Sequence, residues 1–211
     1  NKPSYIGGLL EMANARLYGF WGRLTDALRT GKPQNEAARG EAGLFETLYS
    51  DTARLEGFLK AMTGTSLPTG RAIAAAFPWA ERRMFVDVGC AQGGFSHRIA
   101  EAHLHLSGIG YDLAPVGPIF EKYVAAAGLS DRLRFQAGNF FEQKLPTADV
   151  IVMGHILHDW ALDQKMMLLR KAHAALPEGG AMLVYDAVID DDRRENAFGL
   201  LLSYFNIEDD E

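Results

Sequence analysis

The residues best suited to chemistry lie in a glycine-rich loop at 87–94 of the chain, directly after a short apolar run. The loop has the pattern D-x-G-x-x-x-G, with Asp87, Gly89 and Gly93 at the fixed positions. Its glycines let the backbone approach a ligand closely, and a following helix would present free N–H groups at its N-terminus. The spacing is neither the dinucleotide fingerprint nor a phosphate-binding P-loop. The pattern predicts a ligand-binding turn, and a tight turn without a ligand is the alternative.

Polar residues also follow the next two apolar runs. Asp112 ends the second run, where a carboxylate can accept hydrogen bonds from both hydroxyls of a ribose. Asn139 follows the third run, where its amide could meet an adenine edge beside the aromatic ring of Phe140. The alternatives are a solvated aspartate and an asparagine that serves only the turn. Together with the glycine loop, these residues favour a nucleoside-binding site.

Two histidines follow the fourth apolar run, at His155 and His158, and Asp159 and Asp163 lie close by in the sequence. Imidazole and carboxylate groups at such short spacing can bind a metal ion or move a proton. The residues themselves leave both interpretations open.

The elements that must position these groups alternate between strands and helices. Apolar runs predict strands at 84–88, 106–111, 133–137, 149–153 and 181–185, with helical patterns between them. Such alternation predicts the α/β class, with a parallel sheet covered on both faces. Ligands bind such sheets at the carboxyl ends of the strands, which is where the candidate residues lie.

Helical patterns fill the chain before the first strand. Apolar residues recur at three- and four-residue steps from Ile6 to Leu28, and further helices are predicted at 50–62 and 69–77. The stripe of the first helix is explained either by core packing or by contact with a second copy of the chain. We therefore divide the chain into a helical region at 1–80 and a sheet domain at 81–211.

Composition excludes several classes of protein. The chain has 21 basic and 27 acidic residues and a net charge of −6, which gives no electrostatic reason to expect nucleic acid or anionic membrane as a partner. The single cysteine, Cys90, excludes an internal disulfide framework. No apolar run is long enough to span a membrane, and no signal peptide is visible. We expect a soluble, cytoplasmic protein.

Five segments in this order resemble the small-molecule O-methyltransferases that depend on S-adenosylmethionine (SAM). The family includes plant caffeate and flavonoid enzymes and bacterial natural-product enzymes, and the bacterial branch is the more similar. The resemblance extends from Tyr5 to about Leu202, and its most specific segment is L-H-D-W at 157–160. The segments are Val86-Asp87-Val88-Gly89, Tyr111-Asp112-Leu113, Gly138-Asn139-Phe140-Phe141, Leu157-His158-Asp159-Trp160 and Ala175-Leu176-Pro177-Glu178-Gly179-Gly180.

The resemblance implies a role for each matching residue. His158 matches the general base that removes the proton from an acceptor hydroxyl, and Asp186 matches a carboxylate, usually Glu, that holds this histidine. The acceptor is expected to be a small, phenolic molecule. The metal-dependent relatives carry an acid–amide pair where Asp186-Ala187 stands, so we expect no metal ion. The positions that match SAM contacts are Gly89, Asp112, Leu113, Asn139 and Phe140, and those that match the acceptor pocket are Phe58 and Met62.

The resemblance also implies a larger architecture than five strands. Relatives have a Rossmann-like sheet of seven strands, preceded by a helical dimerisation and substrate-lid region, and they are homodimers through their N-terminal helices. We therefore expect the sheet domain to stop short of the last two strands and of a second carboxylate near the base. Asn139 and Gly154 depart from the family, which commonly has Asp at the first position and, in plants, Lys at the second.

Two other functions remain open. A relative without catalysis, acting as a dimeric scaffold or regulator, would retain the Gly89 and Asp112 side of the site. A nicotinamide oxidoreductase fits poorly, because the glycine spacing of the first loop differs from the dinucleotide fingerprint.

Overall fold

A computed structural model describes residues 7–31, 34, 49–192, 194–196 and 199 of the chain. Five parallel strands form one sheet: β1 (Met84–Val88), β2 (Ser107–Asp112), β3 (Leu133–Ala137), β4 (Val150–Gly154) and β5 (Ala181–Tyr185). The helices are α1 (Gly7–Met12), α2 (Tyr18–Trp21), α3 (Leu24–Thr30), α4 (Thr52–Ala76), α5 (Gly94–Ala102), α6 (Gly117–Ala126) and α7 (Leu162–Ala175). The predicted α/β class is confirmed, and the predicted strand positions differ from these bounds by at most one residue.

The strand order is β3-β2-β1-β4-β5. The chain adds β2 and β3 on one side of β1 and then β4 and β5 on the other, so the strand order reverses between the neighbouring strands β1 and β4. Successive residues of β1 point to opposite faces, as in any strand. Phe85 belongs to one cluster of buried apolar side chains, and Val86 and Val88 belong to a second. Both faces of the sheet are therefore covered. The carboxyl ends of β1 and β4 lie side by side at the reversal point, where open parallel sheets bind their ligands.

The N-terminal helical segment is less regular than its apolar stripe predicts. A π-helical stretch at Ala13–Leu17 joins α1 to α2, and a break at Gly22 and Arg23 precedes α3. Gly8 lies against helix α4, where an added Cβ would come within 3.0 Å of the Lys60 carbonyl oxygen. Ile6, where the predicted stripe begins, lies outside the described residues.

The prediction of two helices at 50–62 and 69–77 is wrong, because α4 runs through both without a break. Gly64 and Pro68 lie inside it, although such residues cost about 1 and 3 kcal/mol in a helix interior. Packing against α5 compensates: an added Cβ at Gly94 would lie 2.9 Å from the Thr63 methyl group, and one at Gly70 would lie 3.2 Å from Arg98 Cβ. The helix is therefore continuous because its buried face contacts the sheet domain along its length.

Within the described residues, we find no helix with both the length and the hydropathy needed to cross a membrane. The division of the chain into two domains at residue 80 stays a prediction. Helix α4, before this position, packs closely on helix α5, after it.

Candidate functional site

The loop between β1 and α5 is shaped by two glycines with left-handed backbone. Gly89 has φ 69° and Gly93 has φ 91°, a region that other L-residues rarely adopt. An added Cβ at Gly89 would overlap the Ile156 side chain, and one at Gly93 would lie 2.7 Å from the Phe120 ring. Only residues without a Cβ allow this loop to lie so close to its neighbours.

Asp112, at the end of β2, is held by hydrogen bonds to both carboxylate oxygens. The backbone N–H of Leu113 donates to Oδ1 at 2.8 Å, and that of Ala91 donates to Oδ2 at 3.0 Å. The Tyr49 hydroxyl also donates to Oδ1, at 3.4 Å. Burial raises the pKa of Asp112 to about 6, although the two backbone hydrogen bonds oppose the shift. The carboxylate is thus fixed in orientation and lies in a poorly solvated place.

A second buried carboxylate, Asp87 on β1, lies in the same region. The Ser96 hydroxyl donates to its Oδ2 at 2.7 Å. Burial raises the pKa of Asp87 to about 7, the Ser96 hydrogen bond opposes this, and the charge of Asp112 adds to it. Two neighbouring acids that are costly to ionise favour a ligand that brings positive charge.

One cavity of about 240 Å³ connects these groups at the carboxyl edge of the sheet. It runs from Asn139, after β3, to His155 and Tyr185, at the ends of β4 and β5. All seven residues that match SAM or acceptor contacts in the family line it: Gly89, Asp112, Leu113, Asn139, Phe140, Phe58 and Met62. The convergence of these positions on one cavity is what their proposed binding roles require.

An aromatic wall closes the Asn139 side of the cavity. Phe140 and Phe141 each meet the Trp160 ring edge-on, with centroids 5.8 and 4.5 Å away. The Lys171 ammonium of α7 donates to the Phe140 and Phe141 carbonyl oxygens, each at 2.6 Å, and so fixes the loop. Asn139 Oδ1 accepts from the Phe141 N–H at 2.9 Å, so part of its amide already serves the turn.

His158 and Asp186 are in direct contact, but neither is among the residues that line the cavity. His158 Nδ1 lies 2.6 Å from Asp186 Oδ1, and His158 Nε2 lies 3.2 Å from Asp159 Oδ1. Burial alone would lower the pKa of His158, but the hydrogen bonds and charges of Asp159 and Asp186 outweigh it and raise the pKa to about 10. Asp159 does line the cavity, so the residue that contacts His158 Nε2 also borders the space for a ligand.

His155 competes with His158 for the same carboxylate. Its backbone has φ 56°, and its Nδ1 lies 3.7 Å from Asp186 Oδ1. Burial raises the pKa of Asp186, but the nearby His155 ring, the hydrogen bond and charge of His158 and the Ala187 N–H outweigh it and hold the pKa below its usual range. The buried His155 Nε2 has no hydrogen-bond partner among the described residues.

The same three side chains offer metal-ligating atoms that all lie within 4.8 Å of one another. Two ligands on a tetrahedral zinc ion would stand roughly 3.3 Å apart, given bonds of about 2.0 Å. The 2.6 Å between His158 Nδ1 and Asp186 Oδ1 is too short for that and fits a shared proton. The arrangement is therefore a hydrogen-bonded cluster, and the expectation that no metal ion binds stays a prediction.

Sequence reasoning missed several residues of the cavity, among them Tyr49, Ser66 and Tyr185. Tyr49 and Ser66 belong to the helical region and to no motif, so only the packing of that region on the sheet reveals them. Tyr185 could have been found, because it is the last residue of β5 and directly precedes Asp186.

Comparison with known proteins places these features in one family. The model of the O-methyltransferase domain family matches residues 21–207. The chain is 42% identical to the tetracenomycin polyketide synthesis 8-O-methyl transferase TcmO of Streptomyces glaucescens, over 95% of this chain and 58% of that protein. It is 34% identical to the N,N-dimethyltransferase OxyT of Streptomyces rimosus, over 88% of this chain and 54% of that protein.

A solved structure agrees with these matches. The crystal structure of human N-acetylserotonin methyltransferase in complex with SAM has a TM-score of 0.87 and 25% identity, and covers 98% of this chain and 59% of that one. The chain thus spans a little over half the length of each of these relatives. On the family match and the identity to TcmO, the chain belongs to the O-methyltransferase domain family.

Proposed function

We propose that the protein transfers a methyl group from SAM to a hydroxyl of a small aromatic acceptor. The observation that carries this is the cavity in which the Gly89 loop and the buried Asp112 carboxylate lie together with Asp159, which contacts His158. A cofactor whose nucleoside binds at Asp112 would extend along the cavity toward Asp159 and His158. The family match supports the same reaction class.

The residues present fit SAM by their chemistry. Asp112, with both oxygens oriented by backbone N–H groups, can accept from ribose hydroxyls. Asn139 and Phe140 offer an amide and a ring for adenine, and Gly89 lines the same cavity. The buried acids Asp87 and Asp112 suit a cationic cofactor. SAM bound there supplies a methyl group on a sulfonium sulfur, which leaves as a thioether when the acceptor oxygen takes the methyl.

His158 is the residue we propose to take the proton of the acceptor hydroxyl, on Nε2. Asp186 holds the opposite ring nitrogen and stabilises the imidazolium that forms. Asp159 and Asp186 raise the pKa of His158 to about 10, toward that of a phenol, which makes the imidazole a stronger base than a free histidine. For Nε2 to reach a hydroxyl, the Asp159 carboxylate must turn away from it.

The acceptor is proposed to lie against Phe58 and Met62, two apolar side chains that line the cavity. These side chains suit an aromatic ring with few polar groups. The relative OxyT is named as an N,N-dimethyltransferase, so an amine acceptor is the second candidate.

The oligomeric state and the cellular location of the enzyme are also proposals. Apolar side chains of the N-terminal helices, Leu10, Tyr18, Leu24 and Leu28, are exposed, which supports a homodimer through these helices. Light scattering in solution would measure the mass of the particle. The free, buried Cys90 supports a cytoplasmic location.

Mass spectrometry of the products from SAM and a panel of phenols and arylamines tests the reaction. We expect a mass increase of one methyl group on phenols, and His158→Ala should reduce turnover strongly while SAM binding stays close to that of the parent. Methylation of arylamines alone would replace the hydroxyl acceptor by the amine. Undiminished turnover by His158→Ala would remove His158 as the base.

A further inference from the structure

Gly154 and Tyr185 stand beside each other where strands β4 and β5 end. They are partners in the parallel register of the two strands, and the His155 N–H donates to the Tyr185 carbonyl oxygen at 3.0 Å. An added Cβ at Gly154 would overlap Cζ and the hydroxyl of Tyr185. The phenol therefore lies directly over Gly154, in space that any other residue at 154 would fill.

The Tyr185 ring crosses the end of β4 and is held from two sides. It stacks on Phe95 of α5, with centroids 5.3 Å apart and an interplanar angle of 24°. The His155 ring meets it edge-on at 5.2 Å and 89°. A side chain of the outer strand β5 thus reaches the helix that follows the central strand β1, and it lines the cavity there.

The hydroxyl of Tyr185 is a protonated hydrogen-bonding group in a largely buried place. Burial raises its pKa, and the charge of Asp87 raises it further, so the phenol stays neutral at physiological pH. The Ser66 side chain of α4, which lines the same cavity, opposes this rise in pKa. A buried phenol that borders a cavity can offer its hydroxyl to whatever fills that cavity.

Strand order decides which part of the cofactor reaches Tyr185. Asp112 ends β2 and Asn139 follows β3, both on one side of β1, whereas Gly154 and Tyr185 end the strands on the other side. If the ribose and adenine lie at Asp112 and Asn139, the rest of an extended SAM molecule must cross β1 toward β4. The end opposite the adenine is the amino-acid group, with its ammonium and carboxylate.

We propose that the Tyr185 hydroxyl, given its place by Gly154, hydrogen-bonds the amino-acid end of the bound cofactor. This rests on the proposed function, because it assumes SAM in the cavity. Tyr185 is then a cofactor-positioning residue, which draws the amino-acid end over β4 and thereby sets where the sulfur lies relative to the His158 cluster.

Calorimetry with two ligands tests the assignment on the full chain. S-adenosylhomocysteine carries the amino-acid end, and 5′-methylthioadenosine has the same adenosine and sulfur without it. We expect Tyr185→Phe to weaken S-adenosylhomocysteine about 3- to 10-fold, the effect of one lost hydrogen bond, and to leave methylthioadenosine unchanged. Tyr123→Phe is the matched control, because that hydroxyl pairs with His97 at 3.2 Å and lies outside the cavity.

Gly154→Ala provides a second variant, with its melting temperature as a check on folding. The added methyl group must displace the Tyr185 ring, so we expect the same selective loss of S-adenosylhomocysteine affinity. Equal losses for both ligands, or no loss in Tyr185→Phe, would overturn the role of Tyr185 while leaving the cofactor in place. A parent protein that binds neither ligand would overturn the proposed function itself.

Discussion

Replacement of Asp159 by asparagine should lower the pKa of His158 and release its outer nitrogen. Two carboxylates hold this imidazole, Asp186 at 2.6 Å from Nδ1 and Asp159 at 3.2 Å from Nε2, and they raise its pKa from 6.5 to about 10. An opposite charge at such distances shifts a pKa by about 1–3 units. We therefore expect the pKa of His158 in Asp159→Asn to lie between roughly 7 and 9.

The pH dependence of kcat/KM measures this shift, because its acidic limb reports the base of the free enzyme. The neutral imidazole is the active form, so activity rises as the pH rises through the pKa of His158. In Asp159→Asn the rise should move to lower pH by the same 1–3 units, with little change in the rate at high pH. An NMR titration of the His158 ring gives the pKa independently of turnover.

Asp186→Asn is the matched variant, since it also removes one of the two carboxylates. It too should lower the pKa of His158, but it removes the group that orients the ring through Nδ1, so the rate at high pH should fall as well. A ring titration that neither variant moves would refute the idea that these carboxylates set the basicity of His158. A shift in the titration without a shift in the rate profile would show that His158 is not the base.

Two further predictions concern the cofactor end of the site. Burial raises the pKa of Asp87 to about 7 and that of Asp112 to about 6. Ionisation of these acids is therefore less favourable in the folded protein than in the unfolded chain, and the folded protein loses stability as the pH rises through these values. SAM favours the ionised forms, so its stabilising shift of the melting temperature should shrink from pH 8 to pH 5.5; a constant shift would contradict this. Gly89→Ala should destabilise the fold by about 2–4 kcal/mol, from left-handed backbone and overlap with Ile156. Gly128→Ala, with the same φ of 69° but open space around it, should cost only about 1–2 kcal/mol in chemical denaturation, and equal costs would exclude the overlap.

Local sequence predicts the sheet well because each strand is a short apolar run with polar or glycine residues at its ends. The runs at β1, β3 and β5 coincide with the observed strands. The long helix α4 could not be predicted in the same way. Gly64 and Pro68 are local signals that end helices. The packing that overrides them involves α5, which follows strand β1 and is distant from these residues in the sequence.

Part of the candidate site could likewise be predicted from the sequence alone, and part could not. The positions of Gly89, Asp112 and Asn139 follow from a general rule, that the ends of parallel strands meet at one edge, so the sequence was sufficient to bring them to one cavity. The His158–Asp186 pair came from resemblance to a family, because the two residues lie on separate strand ends and nothing in their spacing shows that the side chains touch. The contact of Nε2 with Asp159 was predicted by neither route.

Tyr185 shows most clearly what a sequence lacks. Its position over Gly154 depends on the register between β4 and β5, and a slip of one residue would turn the phenol to the opposite face. Its ring then needs Phe95 as a stacking partner, which a third segment of the chain supplies. Glycine at 154 therefore has a structural role, because the absence of a Cβ leaves the space that Tyr185 from the neighbouring strand occupies. The polar group at this point of the cavity comes from the adjacent strand, and only the paired strands together reveal it.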